Sequence, residues 1–230
     1  MHYTPRTIAC VCELQHPPVA PDPRPIQRIH NRMFESGDPL YRSFTVTHEG
    51  AVLSNPVARP DAVSSAAFLA GRIQFREENT GLTVEEFSAR ARSLTEMVAA
   101  ERGIQVFTAQ IVTIRTLVNP RNFHDSRKYL EEGMFGFAGE TQSLGREPQL
   151  WGIRMVFPAT PEQPQIFALR IESFQNDPRS LFIENQGTFP MVLVARGLES
   201  IAANVETAYR FVVDNALRFV ANFDAKAAEA

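Results

Sequence analysis

In several separate stretches of this chain apolar and polar residues alternate, and a period of two commits a segment to a half-buried strand. From Thr7 to Gln15, Ile8, Cys10, Cys12 and Leu14 fall on one side, while Thr7, Ala9, Glu13 and Gln15 fall mostly on the other. Ser43 to Leu53 and Ala66 to Glu77 read as two further strands. In the second, Leu69, Ile73 and Phe75 oppose Arg72, Gln74 and Arg76. Gln105 to Val118 is a long β-branched strand closed by Asn119-Pro120. Leu150 to Phe157 and Ile166 to Phe174 form a hairpin around Pro158 to Gln165, and Ser180 to Glu184 adds an edge strand after the Asn176-Asp177-Pro178 turn.

Helical spacing appears between these runs. After a Pro-rich link from Pro17 to Pro25, Asp22 can cap a helix that buries Ile26, Ile29 and Met33 and stops at Gly37-Asp38-Pro39. Thr83-Val84-Glu85-Glu86 is a capping box, in which hydroxyl and carboxylate each satisfy a free amide. The helix it opens runs through Phe87, Ala91, Leu94 and Val98 to the stop at Gly103. A short helix falls within Arg121 to Glu132 and a loop within Gly133 to Pro148. Leu198 to Phe223 reads as one helix of about 39 Å, with a buried stripe of Leu198, Ile201, Val205, Tyr209, Val212, Ala216, Phe219 and Phe223 and a fraying tail from Asp224 to Ala230. No repeat at a fixed period is visible. Consecutive strands without strict β-α-β alternation predict a single α+β domain over residues 1–230: a largely antiparallel sheet, helices on one face, and a long C-terminal helix.

Composition narrows the partners. The formal net charge is −3, so no broad field gathers nucleic acid by phosphate neutralisation. The longest uncharged, strongly apolar stretch, Ile104 to Ile114, is far short of the roughly 20 residues a bilayer span needs. No signal-peptide pattern opens the chain, and the sequence predicts a soluble cytoplasmic protein without a membrane partner. Of 23 basic residues only Lys128 and Lys226 are lysines, a bias that reads first as arginine-favouring codon usage and second as guanidinium forks for anions.

The sheet's second face carries the candidate chemistry. Arg72 and Arg76 share a side of one strand, Arg170 and Glu172 share a side of another, and Arg154 opposes Ile153, Met155 and Phe157. If these strands are neighbours, an Arg/Glu stripe marks the face that the helices leave free. Such a stripe binds an anion or a partner, or is a solvated face with weak cross-strand ion pairs. Phe211 and Leu217 lie off the stripe of the last helix and suit either a neighbouring subunit or burial within the chain.

Other motifs reduce to structure. Cys10 and Cys12 read as small core residues, and two thiols do not make a zinc site. His124-Asp125 lacks the converging ligands of a metal centre, so no metal and no cofactor is expected. Gly133, Gly136 and Gly139 lack the strand and helix of a phosphate loop, and the paired acids Glu77-Glu78, Glu85-Glu86 and Glu131-Glu132 diverge as sequence neighbours. Asp224-Ala225-Lys226 matches the tail of a nuclease motif but sits at the terminus. No Gly-x-Ser-x-Gly elbow or Walker loop is present.

The order strand, Pro-rich link, helix, strands, helix, long strand, hairpin and C-terminal helix, with Ile114-Arg115-Thr116-Leu117-Val118-Asn119 ending the long strand, resembles a sporadically distributed bacterial family of uncharacterised proteins of similar length. That family's strand ends in Arg-Tyr-Ile-Asn, and the resemblance implies no catalytic residues. The expectation is a non-enzymatic binding or assembly protein, a homo-oligomer or the partner of another protein. The alternative is an enzyme or binding protein for an anionic small molecule or nucleotide, with Arg72, Arg76, Arg154 and Arg170 holding the anion and Glu172 beside them.

Overall fold

The computed structural model describes residues 3–20, 22–137 and 139–226. In chain order the elements are β1 (Arg6–Gln15), α1 (Arg24–Glu35), β2 (Ser43–Val46), β3 (Gly50–Ser54), β4 (Val63–Leu69), β5 (Arg72–Glu78) and α2 (Val84–Arg102). Then come β6 (Val106–Phe107), β7 (Ala109–Val118), α3 (Ser126–Lys128), β8 (Gly152–Phe157), β9 (Ile166–Ser173), β10 (Leu181–Phe189), β11 (Val192–Leu193), α4 (Glu199–Arg210) and α5 (Leu217–Lys226). Nine strands form one antiparallel sheet in the order β2-β3-β4-β5-β1-β7-β10-β9-β8, and β6 pairs separately with β11. The protein is α+β, and no helix among the described residues is long and apolar enough to cross a membrane.

The strand order contains a repeat that the sequence does not display. A strand, a helix, a three-strand meander and a second helix occur twice: β1, α1, β3-β4-β5, α2, and then β7, α3, β8-β9-β10, α4. In each unit the last meander strand pairs with the first strand, and the two first strands, β1 and β7, pair with each other at the centre. β2 extends one edge.

Alternation assigns the faces. Cys10, Cys12 and Leu14 of β1, Ile73 and Phe75 of β5, Val112 and Ile114 of β7, and Leu169 and Ile171 of β9 are buried. They share the core with Phe87, Ala91, Leu94 and Val98 of α2 and Ile201, Val205 and Ala208 of α4. Burial pushes both thiols up to about 12, with Glu77 adding to the effect at Cys10 and Glu13 at Cys12. They are free, inert core groups. Two polar core residues bind α4 to the sheet: Gln110 donates to the Ile201 carbonyl at 2.9 Å and Asn185 to the Ala208 carbonyl at 2.9 Å. The predicted capping box is formed, with Glu86 N–H to Thr83 Oγ1 at 3.2 Å and Thr83 N–H to the Glu86 carboxylate at 2.9 Å.

Several boundaries differ from the sequence reading, each for a local reason. Ser43 to Leu53 is a hairpin, because the chain turns at Gly50, whose φ of 153° and close approach to the Phe68 carbonyl exclude a side chain. Ala66 to Glu77 is likewise two strands meeting between Leu69 and Arg72. Ser180 to Glu184 is no edge: β10 runs to Phe189 between β7 and β9. Its inward positions include Asn185 and Gly187, which break the apolar rhythm, and a Cβ at Gly187 would come within 3.0 Å of the Phe167 and Phe189 rings. After α3 the chain takes a π-helical turn over Tyr129–Phe135, so helix continues past Gly133, and Glu140–Leu144 forms a 3-10 turn within the expected loop.

The C-terminal helix is continuous, but Phe211–Ala216 is π-helical. One extra residue in a turn rotates the following stripe by about 100°. Beyond it Leu217, Val220, Ala221 and Asp224 are buried in place of the expected Phe219 and Phe223, which are only partly covered. The helix therefore continues through Lys226 instead of fraying from Asp224; residues 227–230 of the expected tail lie outside the described residues. The buried Asp224 carboxylate accepts from the Tyr3 hydroxyl, from Arg121 N–H at 2.7 Å and from Asn122 N–H at 3.0 Å, fastening the helix end to the start of β1 and the chain after β7. Burial, with the Asp224 carboxylate beside it, pushes the Tyr3 phenol far above its ordinary value. Because two part-buried amides and the Tyr3 hydroxyl lose their acceptor, Asp224→Ala costs about 2 kcal/mol in chemical denaturation. A loss below about 0.5 kcal/mol would show that this anchor is solvent-compensated.

Candidate functional site: the uncovered sheet face

The helices cover one face of the sheet, and the side chains on the other form an ordered array. In-register partners point the same way, so Ala9, Val11, Glu13 and Gln15 of β1 share this face with Arg72, Gln74, Arg76 and Glu78 of β5. Ile111, Thr113 and Arg115 of β7, Phe182 and Glu184 of β10, Arg170 and Glu172 of β9, and Arg154 of β8 complete it.

Six of these residues join in one row of alternating charge. Arg76 bonds Glu78 at 2.8 Å, Glu78 reaches Arg115 at 3.2 Å, and Arg115 bonds Glu184 at 2.7 Å. Glu184 then meets Arg170 at 3.3 Å, and Arg170 meets Glu172 at 3.6 Å. Glu78 and Arg115 lie on strands that flank β1, and both are in register with Ala9, whose methyl group is small enough for the pair to meet above it. Arg170 also lies over the Phe182 ring at 5.2 Å, and the Glu78 carboxylate pushes the Arg76 guanidinium further above its ordinary value. To one side, Glu13 takes Arg72 at 3.5 Å and Gln74 at 3.4 Å.

This geometry decides what the arginines can do. Arg72, Arg76 and Arg170 are already matched to carboxylates. Arg154 is opposite Arg170 in the β8–β9 register and has no ion pair among the described residues. Four inter-strand spacings separate β5 from β9, about 19 Å, so Arg72 and Arg76 cannot grip one small anion together with Arg170. The array is dispersed across the sheet. Glu78, Arg115 and Glu184 are not among the residues the sequence assigns to this face, although the i, i+2 pairs Arg76/Glu78 and Arg170/Glu172 carry the same signature, and Glu184 belongs to a strand whose central place the sequence does not show.

The C-terminal helix residues lie within the chain. Phe211 stacks on Phe167 at 4.3 Å and meets Phe157 edge-on at 5.2 Å, and Leu217 is buried behind the π-helical turn. Their own chain accounts for both without a partner. Asp125 of the His-Asp pair caps α3 through Arg127 N–H at 2.8 Å, and no cluster of three metal-ligating residues occurs among the described residues.

No protein-family model matches the chain, and no curated protein matches it. Among solved structures it is similar to the regulatory subunit of aspartate kinase from Thermus flavus, at 12% identity over 91% of this chain and 97% of that one. The TM-score is 0.23, too low to bear on fold or function.

The row itself is open to test. Exposed ion pairs each contribute well under 1 kcal/mol and are screened by salt. Glu184→Gln breaks two pairs and so lowers stability by about 1 kcal/mol in dilute buffer, a difference that shrinks in molar salt. A loss indifferent to salt would mean that Glu184 acts through packing.

Proposed function

We propose that this protein is a non-enzymatic assembly module that self-associates, with a second copy of the chain seated on the uncovered sheet face. The observation that carries this reading is the sign order of the ion row. From Arg76 to Glu172 it runs positive, negative, positive, negative, positive, negative. Read backwards, every sign inverts. A two-fold axis between Arg115 and Glu184, running along the strands, lays Arg115 of each copy over Glu184 of the other and brings Glu78 toward Arg170 of its partner, and self-complementarity of this kind is what an isologous interface requires.

Size and composition support the same reading. Nine strands at about 4.8 Å spacing and roughly six residues of strand make a face of about 800 Å², the area each partner contributes to a standard interface. Val11 and Ile111 beside the row, with Phe182 within it, supply apolar surface. A polyanion finds its cations already neutralised. The anionic-ligand alternative narrows to Arg154 and Arg170, where an added carboxylate or phosphate would relieve two facing cations.

Light scattering on size-exclusion fractions tests the assembly. The expected mass is twice 25.8 kDa, and Glu184→Arg, which places three cations in succession, weakens the dimer at least tenfold (about 1.4 kcal/mol) with unchanged circular dichroism. A wild-type protein that stays monomeric at every accessible concentration contradicts the proposal, as does a Glu184→Arg dimer of undiminished affinity.

A further inference from the structure

On the helix-covered side, near the β4–β5 edge of the core, one charged residue breaks the inward rhythm of β5. Ile73 and Phe75 point into the core, and the next inward position is Glu77, only 4% exposed. Its Oε1 accepts from Ser64 Oγ at 2.8 Å and from Arg90 Nη1 of α2 at 2.8 Å. Ser64 in turn takes Asn55 Nδ2 at 3.2 Å, Asn55 also donates to the Leu40 carbonyl at 3.0 Å, and Arg90 lies over the Tyr41 ring at 5.3 Å. Among the described residues Oε2 of Glu77 takes no donor of its own at full hydrogen-bond geometry, and the buried Tyr41 hydroxyl lies beside the carboxylate, where burial and the Glu77 charge together hold the phenol far above its ordinary value.

A buried ion pair is a poor means of stabilising a fold, because apolar residues of equal volume do as well or better. Here it also borders empty space. A cavity of about 490 Å³ lies between the 55–62 segment, the turn at 79–82 and α2, lined by Asn55, Arg59, Ser64, Glu77, Asn79 and Arg90 together with apolar residues. This falls within the size range of small-molecule sites, which are concave and carry a few polar groups held in place by others. Arg59 at the lining donates to the Asn79 carbonyl at 2.7 Å and lies 3.9 Å from Asp61, leaving guanidinium N–H groups to spare.

We propose that this cavity binds a small zwitterion of the free amino-acid class, with its ammonium group on the open oxygen of Glu77 and its carboxylate on Arg59. The lining charges select this class. A simple amine would meet two guanidinium groups, and a simple anion would meet a buried carboxylate. A molecule carrying both charges matches both ends, and the apolar lining from Val57, Ala62 and Leu82 accepts a side chain. The site lies across the sheet from the ion row, so occupancy and self-association are independent properties of the chain.

The probes are the free proteinogenic L-amino acids, titrated singly into the full-length protein by calorimetry, with methylammonium chloride and sodium acetate as half-ligand controls. At least one amino acid is expected to saturate at or below about 1 mM, with neither control doing so. Glu77→Gln and the surface-lying Arg59→Ala each weaken that binding at least tenfold without changing the mass in light scattering. Arg59→Ala carries the test should Glu77→Gln fail to fold. Absence of saturable heat for every amino acid up to about 10 mM overturns the proposal, and so does binding that Arg59→Ala leaves unchanged.

Discussion

The antiparallel pairing of β1 with β7 holds the rest of the molecule in place. It joins two copies of the same strand-helix-meander-helix order, and its register runs from Arg6 opposite Leu117 to Gln15 opposite Ala109. A slip of one residue would send Cys10, Cys12 and Leu14 to the open face and Val11 and Glu13 into the core. That register is fixed from both sides. The helices require the apolar set, and on the open face Ala9 must lie between Glu78 and Arg115 for the ion row to cross β1. A register shift between Thr7 and Ala9 confines the irregularity to the strand's beginning.

From this joint follows a division of labour between the two faces. The covered face stabilises, by burying aliphatic and aromatic side chains at about 25 cal/mol per Å². The open face contributes little to stability, since its ion pairs are half-exposed and individually weak. What those pairs do is order the face: each guanidinium of the row is held by a carboxylate, and Arg170 is held by a ring as well. A surface whose long side chains are already fixed loses less entropy on association than one whose arginines are free. That is the physical reason for reading the row as preparation for a partner.

The alternation of β1, β5, β7 and β9 and the capping box at Thr83 were legible in the sequence, because each is a local pattern with a local cause. What was illegible depends on contacts between distant residues. β10 reads poorly since Asn185 is inward to bond a helix carbonyl and Gly187 is inward to make room for two phenylalanines. The π-helical turn at Phe211–Ala216 has no sequence signature at period 3.6, so Phe211 and Leu217 looked surplus when they are packed within the chain. The repeat of the two units lies in topology alone. For the candidate site, alternation places Arg72, Arg76, Arg154, Arg170 and Glu172 on the open face, but the cross-strand members Glu78, Arg115 and Glu184 do not follow from it, because a row across strands needs the strand order that only the fold supplies.

Thiol labelling of a Thr113→Cys protein would test the two-faced account most directly. Thr113 lies on the open face, in register with Val11, while Cys10 and Cys12 are native internal controls buried on the other. The account predicts that the new thiol reacts readily in dilute protein and becomes protected as concentration rises, while Cys10 and Cys12 stay unreactive until unfolding. Labelling of Thr113→Cys that does not vary with concentration, or reaction of Cys12 in the folded protein, would contradict it.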